Sequence, residues 1–208
     1  FFTEIKARLC VEHPLIEAVT GLDLVREQIR LAAGGALERD SVSPRGWAML
    51  ARVRAVDPWR DFLPSPGTLR EVRLPDGPGV RVDTYVYPGC YVPGEFDPLI
   101  AKVIAWGENR EGCLRRFGAA LEELKLTGVS TTLPLIQKIL HDDGFQDGVY
   151  ATGHLTQPLH QPANAQVLRD MAAIAAILFV RRRQTFNPSI PARLGTGWHR
   201  EGRRLSNW

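Results

Sequence analysis

The chain has 208 residues, 44% of them hydrophobic and 24% charged, and a formal net charge of +3. This is enough material for one domain with a buried core and an additional segment, and no apolar run approaches the roughly 20 residues that span a bilayer. Seven arginines and one acid fall between Arg181 and Trp208, so the rest of the chain is mildly acidic, which argues against a uniformly basic nucleic-acid-binding protein.

Residues 1–14 alternate between two kinds of side chain. A polar or reactive set alternates with an aliphatic set: Glu4, Lys6, Arg8, Cys10 and Glu12 alternate with Ile5, Ala7, Leu9 and Val11. Because successive side chains of a strand point to opposite faces, this pattern predicts a strand with one polar face. Such a face is suited to hold a metal ion, an anion and a proton acceptor together. A half-buried strand with a solvated outer face has the same pattern.

A helix is predicted next. Thr20 is a suitable N-cap with Asp23 three residues later, apolar residues recur at helical spacing to Ala32, and Gly34 and Gly35 supply the stop. A strand is predicted over residues 47–55, with Arg52 on the opposite face from the apolar side chains.

Further strands are predicted over residues 68–74, 80–86 and 99–105, and helices over residues 111–124 and 133–141. This order indicates an α+β fold, with a mostly antiparallel sheet and flanking helices. The sequence contains neither a P-loop nor a GxGxxG motif. We expect Lys102 to be an ion-paired packing residue and His13 to be structural.

Residues 157–165 have the composition of a linker. A helix is predicted after it, with apolar residues from Val167 to Leu178, and three arginines follow at its C-terminal end, where cations favour the helix dipole. A helix of this kind usually docks on a partner. The three cysteines lack metal-ligand spacing, which predicts reduced thiols and a cytoplasmic protein.

Four stretches of the sequence are specific in their order and spacing. They are RLCVEHPLIEAVTGLDLVREQIRLAAG (residues 8–34), RGWAMLARVRAVDP (45–58), FLPSPGTL (62–69) and GVRVDTYVYPGCYVPGEFDPLIAKVIAWGENR (79–110). With the region that continues to about residue 155, they resemble the C-terminal half of biotin carboxylase. This is the ATP-grasp component of biotin-dependent carboxylases such as acetyl-CoA and propionyl-CoA carboxylase.

The resemblance implies three segments. Residues 1–14 would be a remnant strand of the ATP-grasp active site, residues 15–156 the biotin carboxylase C-terminal domain, and residues 157–208 a linker, a docking helix and an Arg-rich tail. The beginning at Phe1, within a predicted strand, suggests a fragment of a longer protein.

The resemblance also implies a reaction in which ATP and bicarbonate carboxylate protein-bound biotin, with Mg²⁺ on the phosphates. Glu4 aligns with a carboxylate ligand of Mg²⁺, and Glu12 aligns with the base that deprotonates bicarbonate. Arg8 aligns with the arginine that binds bicarbonate, and Arg52 with the arginine that stabilises the biotin enolate. Bicarbonate and biotin would be bound by Arg8, Cys10, Val11 and Arg52.

Two residues depart from the family pattern. Lys6 stands where the family has an asparagine beside the metal, and Cys10 stands where a glutamine helps to hold bicarbonate. A thiol is a weak donor and cannot replace the amide, and one lost charge-assisted contact costs about 1.5–3 kcal/mol. Two changes on one face are consistent with a weakened or repurposed site.

Three functional interpretations follow. In the first, the chain is part of a biotin carboxylase that is inactive without its ATP-grasp half. In the second, it is a degenerate, non-catalytic subunit that scaffolds a carboxylase complex. Expected partners are the missing ATP-grasp half, a carboxyltransferase subunit, the biotin carboxyl carrier protein and, in possible homodimers, a second copy of the chain. In the third, less favoured, the Arg-rich tail binds nucleic acid or acidic lipid.

Overall fold

The computed structural model describes residues 2–37, 41–151, 153 and 165–185, and in the last segment the side chains of residues 169–180. The chain forms two units, Phe1–His160 and Gln161–Trp208. In chain order the elements of the first unit are α1 (His13–Thr20), α2 (Leu24–Ala32), β1 (Trp47–Arg54), β2 (Val56–Asp57), β3 (Leu63–Pro64), β4 (Gly67–Thr68), β5 (Glu71–Arg73), β6 (Val80–Thr84), β7 (Tyr91–Val92), β8 (Leu99–Gly107), α3 (Arg110–Glu123), β9 (Lys125–Thr127), α4 (Leu133–Leu140) and α5 (Asp143–Asp147).

A three-stranded antiparallel sheet with the order β1-β8-β6 is the centre of the first unit. Ala51 of β1 lies opposite Val103 of β8, and Val53 lies opposite Ala101. These four small or β-branched side chains are almost completely buried. They form a core with α3, which contributes Leu114, Phe117 and Leu121 from one helical face. The opposite face of the sheet is therefore free to carry polar groups.

Short two-stranded ribbons extend this core. The pairs are β2-β3, β4-β7 and β5-β9, all antiparallel. The N-cap of α3 is Asn109, whose side chain accepts a hydrogen bond from the Gly112 N–H at 2.7 Å. The α+β prediction is confirmed, with strands close to the predicted positions 47–55, 80–86 and 99–105. Helices also lie close to the predicted positions 111–124 and 133–141.

The predicted strand over residues 1–14 is wrong in the described residues. Residues 2–12 have no strand, and their aliphatic side chains are not gathered on a buried face, with Ile5 81% exposed. A strand requires a neighbour that takes up its backbone hydrogen bonds, and no described strand pairs with this segment. Alternation alone therefore does not determine the structure here.

The start of the next helix was also predicted wrongly. Thr20 is the last residue of α1, and its hydroxyl donates to the carbonyl oxygen of Ile16 at 2.7 Å. The N-cap of α2 is Asp23, whose carboxylate accepts from the Arg26 N–H at 2.9 Å. α1 itself was missed, although Pro14 in its first turn and Gly21 after its end are the usual helix signals.

The predicted strand over residues 68–74 is divided in two. Gly67–Thr68 pairs with β7, whereas Glu71–Arg73 pairs with β9. The chain changes partner between them, so a single run of strand-forming residues serves two ribbons.

In the second unit, α6 (Ala165–Thr185) agrees with the predicted helix. The described side chains from Arg169 to Val180 are all exposed within the structure. No described helix is both long and apolar enough to cross a membrane. The predicted linker, apart from residue 165, and the Arg-rich tail from residue 186 onward lie outside the described residues.

Gly128 and Gly77 allow a test of the ribbon geometry. Both have positive φ, +113° and +138°, but a Cβ at Gly128 would overlap the carbonyl oxygen of Thr68, whereas a Cβ at Gly77 meets nothing within 4 Å. We expect both alanine variants to lose about 1–3 kcal/mol of unfolding free energy through backbone strain. Gly128→Ala should lose roughly 1–3 kcal/mol more through the overlap. Urea unfolding of the two variants measures this, and equal losses would contradict the close approach of Gly128 to Thr68 of β4.

Candidate functional site

A row of charged side chains crosses the polar face of the main sheet. Arg52 of β1 lies opposite Lys102 of β8, and Lys102 lies opposite Asp83 of β6. Residues at paired positions of an antiparallel sheet project on the same face. Lys102 Nζ is 3.1 Å from Asp83 Oδ2, which confirms the expected ion pair of Lys102.

Helix α1 packs against β1 and β8 and brings Glu12 to this row. Glu12 is the N-cap residue of α1, but its side chain makes no capping hydrogen bond. Its carboxylate instead faces the sheet, with Oε1 at 3.2 Å from Nη1 of Arg52. The side chains of Glu12 and Arg52 are 48% and 51% exposed, so the pair is open to solvent and to a ligand.

A second contact joins α1 to the sheet through Glu17. Its Oε1 lies 3.1 Å from His13 Nδ1 and accepts from the Leu24 N–H at 3.0 Å, while Oε2 accepts from Arg81 Nη1 at 2.8 Å. Arg81 also donates to both carboxylate oxygens of Asp83, at 2.7 Å and 3.1 Å. The carboxylate of Glu17 is thus shared by α1, α2 and β6. Only 11% of the Glu17 side chain is exposed.

The charges of this network determine the direction of its pKa shifts. Burial raises the pKa of Glu17, but the hydrogen bonds from Arg81, His13 and the Leu24 N–H outweigh it and hold the pKa below its ordinary value. The pKa of Asp83 is also lowered, because Arg81 and Lys102 together outweigh the effect of burial. The hydrogen bond to Asp83 raises the pKa of Arg81. Both carboxylates are therefore ionised at neutral pH.

The other predicted site residues lie on the irregular segment before α1. Glu4 and Lys6 form an exposed ion pair with 3.4 Å between Glu4 Oε1 and Lys6 Nζ. Arg8 Nη1 donates only to the carbonyl oxygen of the adjacent Leu9, at 3.1 Å, and forms no ion pair within the described part of the chain. Cys10 is partly buried and Val11 is 40% exposed. The structure thus brings Glu12 and Arg52 together, but it does not join Glu4 or Arg8 to them.

The described residues do not form a complete magnesium site. Mg²⁺ prefers several oxygen ligands, and the described part of the chain has no group of three or more His, Cys, Asp or Glu side chains able to hold a metal. Glu4 would supply a single carboxylate, which lies 3.4 Å from the ammonium of Lys6. By itself this carboxylate does not supply the several oxygen ligands that Mg²⁺ prefers.

Sequence reasoning missed Glu17, Arg81 and Asp83. The sequence patterns of these residues are common ones. Glu17 follows His13 at the i,i+4 spacing of one helical face, and Arg81 and Asp83 are two residues apart, on the same face of a strand. Neither pattern shows which groups on other elements complete the network. His13 is structural in this arrangement, as expected.

Comparison with known protein families agrees with this architecture. The model of the Biotin carboxylase C-terminal domain matches residues 50–157, just over half of the chain. The model of the Carbamoyl-phosphate synthase L chain, ATP binding domain, matches residues 1–40. The chain belongs to the biotin carboxylase C-terminal domain family.

Individual relatives are similar over most of this chain. Biotin carboxylase of Haemophilus influenzae is 44% identical over 150 residues, which are 71% of this chain and 33% of the relative. Biotin carboxylase 1 of Bacillus subtilis is 41% identical over 157 residues, or 74% of this chain and 35% of the relative. The chain therefore spans about a third of the length of these relatives.

Solved structures show the same fold. The biotin carboxylase domain dimer of the Hydrogenobacter thermophilus 2-oxoglutarate carboxylase, in complex with MgADP, ADP and bicarbonate, superposes with a TM-score of 0.74 at 36% identity. The match covers 76% of this chain and 36% of that one. Kluyveromyces lactis urea carboxylase has a TM-score of 0.72 at 38% identity over 76% of this chain and 14% of its own.

The lowered pKa of Asp83 predicts a pH-dependent contribution to stability. A carboxylate with a depressed pKa stabilises the fold above its unfolded pKa of about 3.9 and loses this contribution as the pH falls through the folded value. We expect Asp83→Asn to lower the unfolding free energy by about 1–3 kcal/mol at pH 7. The difference from the unsubstituted chain should shrink as the pH falls below about 3.9.

Thermal unfolding between pH 7 and pH 2.5 tests this expectation. The matched control is Glu122→Gln, because Glu122 is an exposed residue of α3. A stability difference for Asp83→Asn that is the same at all pH values would exclude an ionic role for Asp83.

Proposed function

We propose that this chain is the C-terminal part of a biotin carboxylase, which uses ATP and bicarbonate to carboxylate protein-bound biotin. The observation that carries the proposal is the contact between Glu12 and Arg52. These side chains are distant in sequence, yet α1 and β1 place them 3.2 Å apart on an exposed polar face. By the family resemblance, Glu12 would be the proton acceptor and Arg52 the cation that stabilises the enolate.

The exposure of this pair suits it to a substrate site. A solvated ion pair contributes only about 0–1 kcal/mol, so a substrate can replace either partner at small cost. Glu12 would accept the proton of bicarbonate, since its carboxylate is 48% exposed on this face and is accessible to an anion. Arg52 would then stabilise the negative charge on biotin as its enolate forms, because its charge is already in place.

Arg8, Cys10 and Val11 would complete the bicarbonate and biotin side of the site. The Arg8 guanidinium is exposed and makes no ion pair in the described region, so its planar pair of donors is available to a carbonate-type anion. Val11 is next to Glu12 and would contribute an apolar contact. Cys10 offers only a weak donor at the position where the family has an amide.

Partners and cofactors follow from the same proposal. The ATP-binding domain match at residues 1–40 supports an ATP-grasp part that supplies the nucleotide site and the remaining ligands of Mg²⁺, beside Glu4. A biotin carboxyl carrier protein would deliver biotin, and a carboxyltransferase would receive the product. The 2-oxoglutarate carboxylase relative is a dimer bound to MgADP and bicarbonate, which supports a homodimer and these ligands for this protein as well.

A specific observation favours a second candidate, a non-catalytic subunit that scaffolds a carboxylase complex. The ammonium of Lys6 lies 3.4 Å from the carboxylate of Glu4, the proposed metal ligand. A positive charge at this distance opposes the binding of Mg²⁺ to the same oxygens. Together with Cys10, this pair indicates a site with weakened metal and bicarbonate binding.

The two candidates differ in the effect of restoring the family residues. In a carboxylase that contains this chain and its ATP-grasp part, Lys6→Asn with Cys10→Gln should raise bicarbonate-dependent ATP cleavage by about tenfold or more if the site is weakened. Steady-state ATP cleavage with and without bicarbonate measures this. Lys125→Asn controls for the loss of a lysine elsewhere, because Lys125 is an exposed residue of β9. Absence of any bicarbonate-dependent cleavage in both the original and the restored protein would favour the scaffold.

The role of Arg52 has its own test. Arg52→Ala should lower the rate of biotin carboxylation by about 10²–10³-fold, because it removes a preorganised positive charge from the reacting centre. Arg54→Ala is the matched control, since Arg54 is an exposed arginine two residues further along the same strand. Unchanged biotin carboxylation in Arg52→Ala would show that the proposed role is wrong.

A further inference from the structure

We propose that Glu17 is a positioning residue that holds Glu12 against Arg52. This inference rests on the proposed function of those two residues. It begins from the length of α1, which has only eight residues. A helix this short is not stable by itself, so its direction and the location of its first turn depend on tertiary contacts. Glu12 is the residue from which the helix starts, and any rotation of α1 moves its carboxylate.

Glu17 makes contacts that fix this direction. Its two oxygens take three donors, one each from the start of α1, the start of α2 and strand β6. Oε1 is used by His13 and the Leu24 N–H, and Oε2 by Arg81. The Glu17 side chain is 11% exposed, which limits competition from water at its carboxylate, while the Arg81 side chain is 48% exposed.

The contacts continue across the sheet to the proposed site. Arg81 is held by two hydrogen bonds to Asp83, and Asp83 is paired with Lys102. Lys102 is the residue directly opposite Arg52 in the β1-β8 register. Helix α1 is therefore attached to one polar row at two places, through Glu17 at the β6 edge and through Glu12 at β1. These two attachments, on neighbouring positions of the same sheet face, set the distance between Glu12 and Arg52.

A glutamine at position 17 would retain the volume but not the contacts. Its amide has one acceptor oxygen and one donor group, whereas all three neighbours of Glu17 are donors. At least one of the three donors would then face the amide N–H of glutamine instead of an acceptor oxygen. We expect α1 to shift, and displacements of about 1 Å at a reacting centre can cost about 10²-fold in rate.

The experiment is a double-mutant cycle in the carboxylase that contains this chain with its ATP-grasp part. The variants are Glu17→Gln, Arg52→Ala and the combination, and the measured quantities are kcat for biotin carboxylation and the KM values for ATP and bicarbonate. Glu17→Gln should lower kcat by about 10- to 100-fold and leave the KM for ATP unchanged. It should cause little further loss when Arg52 is already alanine, because the pair it positions is gone.

The matched control is Glu27→Gln on α2, where the glutamate has a local ion pair with Arg30 of the same helix, 2.7 Å between Glu27 Oε2 and Arg30 Nη2. If Glu17→Gln behaves like this control, or if its loss multiplies fully with that of Arg52→Ala, the positioning role is overturned. If Glu17→Gln does not fold, Glu17→Asp keeps the charge but cannot reach all three donors. We expect the same selective loss of kcat from it, and full activity would overturn the proposal.

The same cycle separates this inference from the proposed function. If Arg52→Ala leaves biotin carboxylation unchanged, the proposed function of the site fails, and Glu17 has nothing to position. If Arg52→Ala lowers the rate but Glu17→Gln does not, the proposed function stands and only the positioning role fails.

Discussion

The pairing of β8 with both β1 and β6 is the interaction on which the rest of the first unit depends. One face of these strands is made of Val53, Ala101 and Val103, which α3 covers. Because side chains alternate along each strand, burial of that face forces the intervening residues onto the other one. Arg52, Lys102 and Asp83 consequently lie side by side in a polar row. A slip of one residue in the register would exchange the two sets and remove both the core and the candidate site.

The polar row in turn provides the support for α1, which is too short to hold its own orientation. The two attachments differ in physical character. The Glu17 carboxylate is only 11% exposed and is shared among three elements, whereas the Glu12 carboxylate is 48% exposed and is paired with Arg52. Removing a partly buried carboxylate leaves its three donors without their acceptor and is destabilising, while opening a solvated pair changes the free energy by only about 0–1 kcal/mol. A well-held helix beside a weak and accessible ion pair is suited to substrate binding. A scaffold subunit would need only the Glu17 contacts, which hold the helix, and not the Glu12–Arg52 pair.

Much of the fold was predictable because its strongest patterns are local. β8 has an almost continuous apolar run, α3 and α4 have apolar residues at helical spacing, and these elements were predicted close to their observed bounds. The failures have a common cause. Residues 2–12 alternate like a strand but have no described partner strand, and Thr20 has the chemistry of an N-cap but is used at the end of α1. In both places a pattern compatible with two structures was decided by neighbours that local sequence does not reveal.

The amino-acid sequence by itself determined the α+β class, the family, and the residue types of the candidate site, because periodicity and motif spacing are properties of the chain alone. Glu12 and Arg52 could be named in advance through the resemblance to the family. Only the tertiary structure decided that these two side chains meet, that Glu4 is paired with Lys6, and that Glu17 joins α1 to Arg81. The physical reason is that an ion pair depends on the distance and shared burial of groups from different elements, and these are set by how the elements pack.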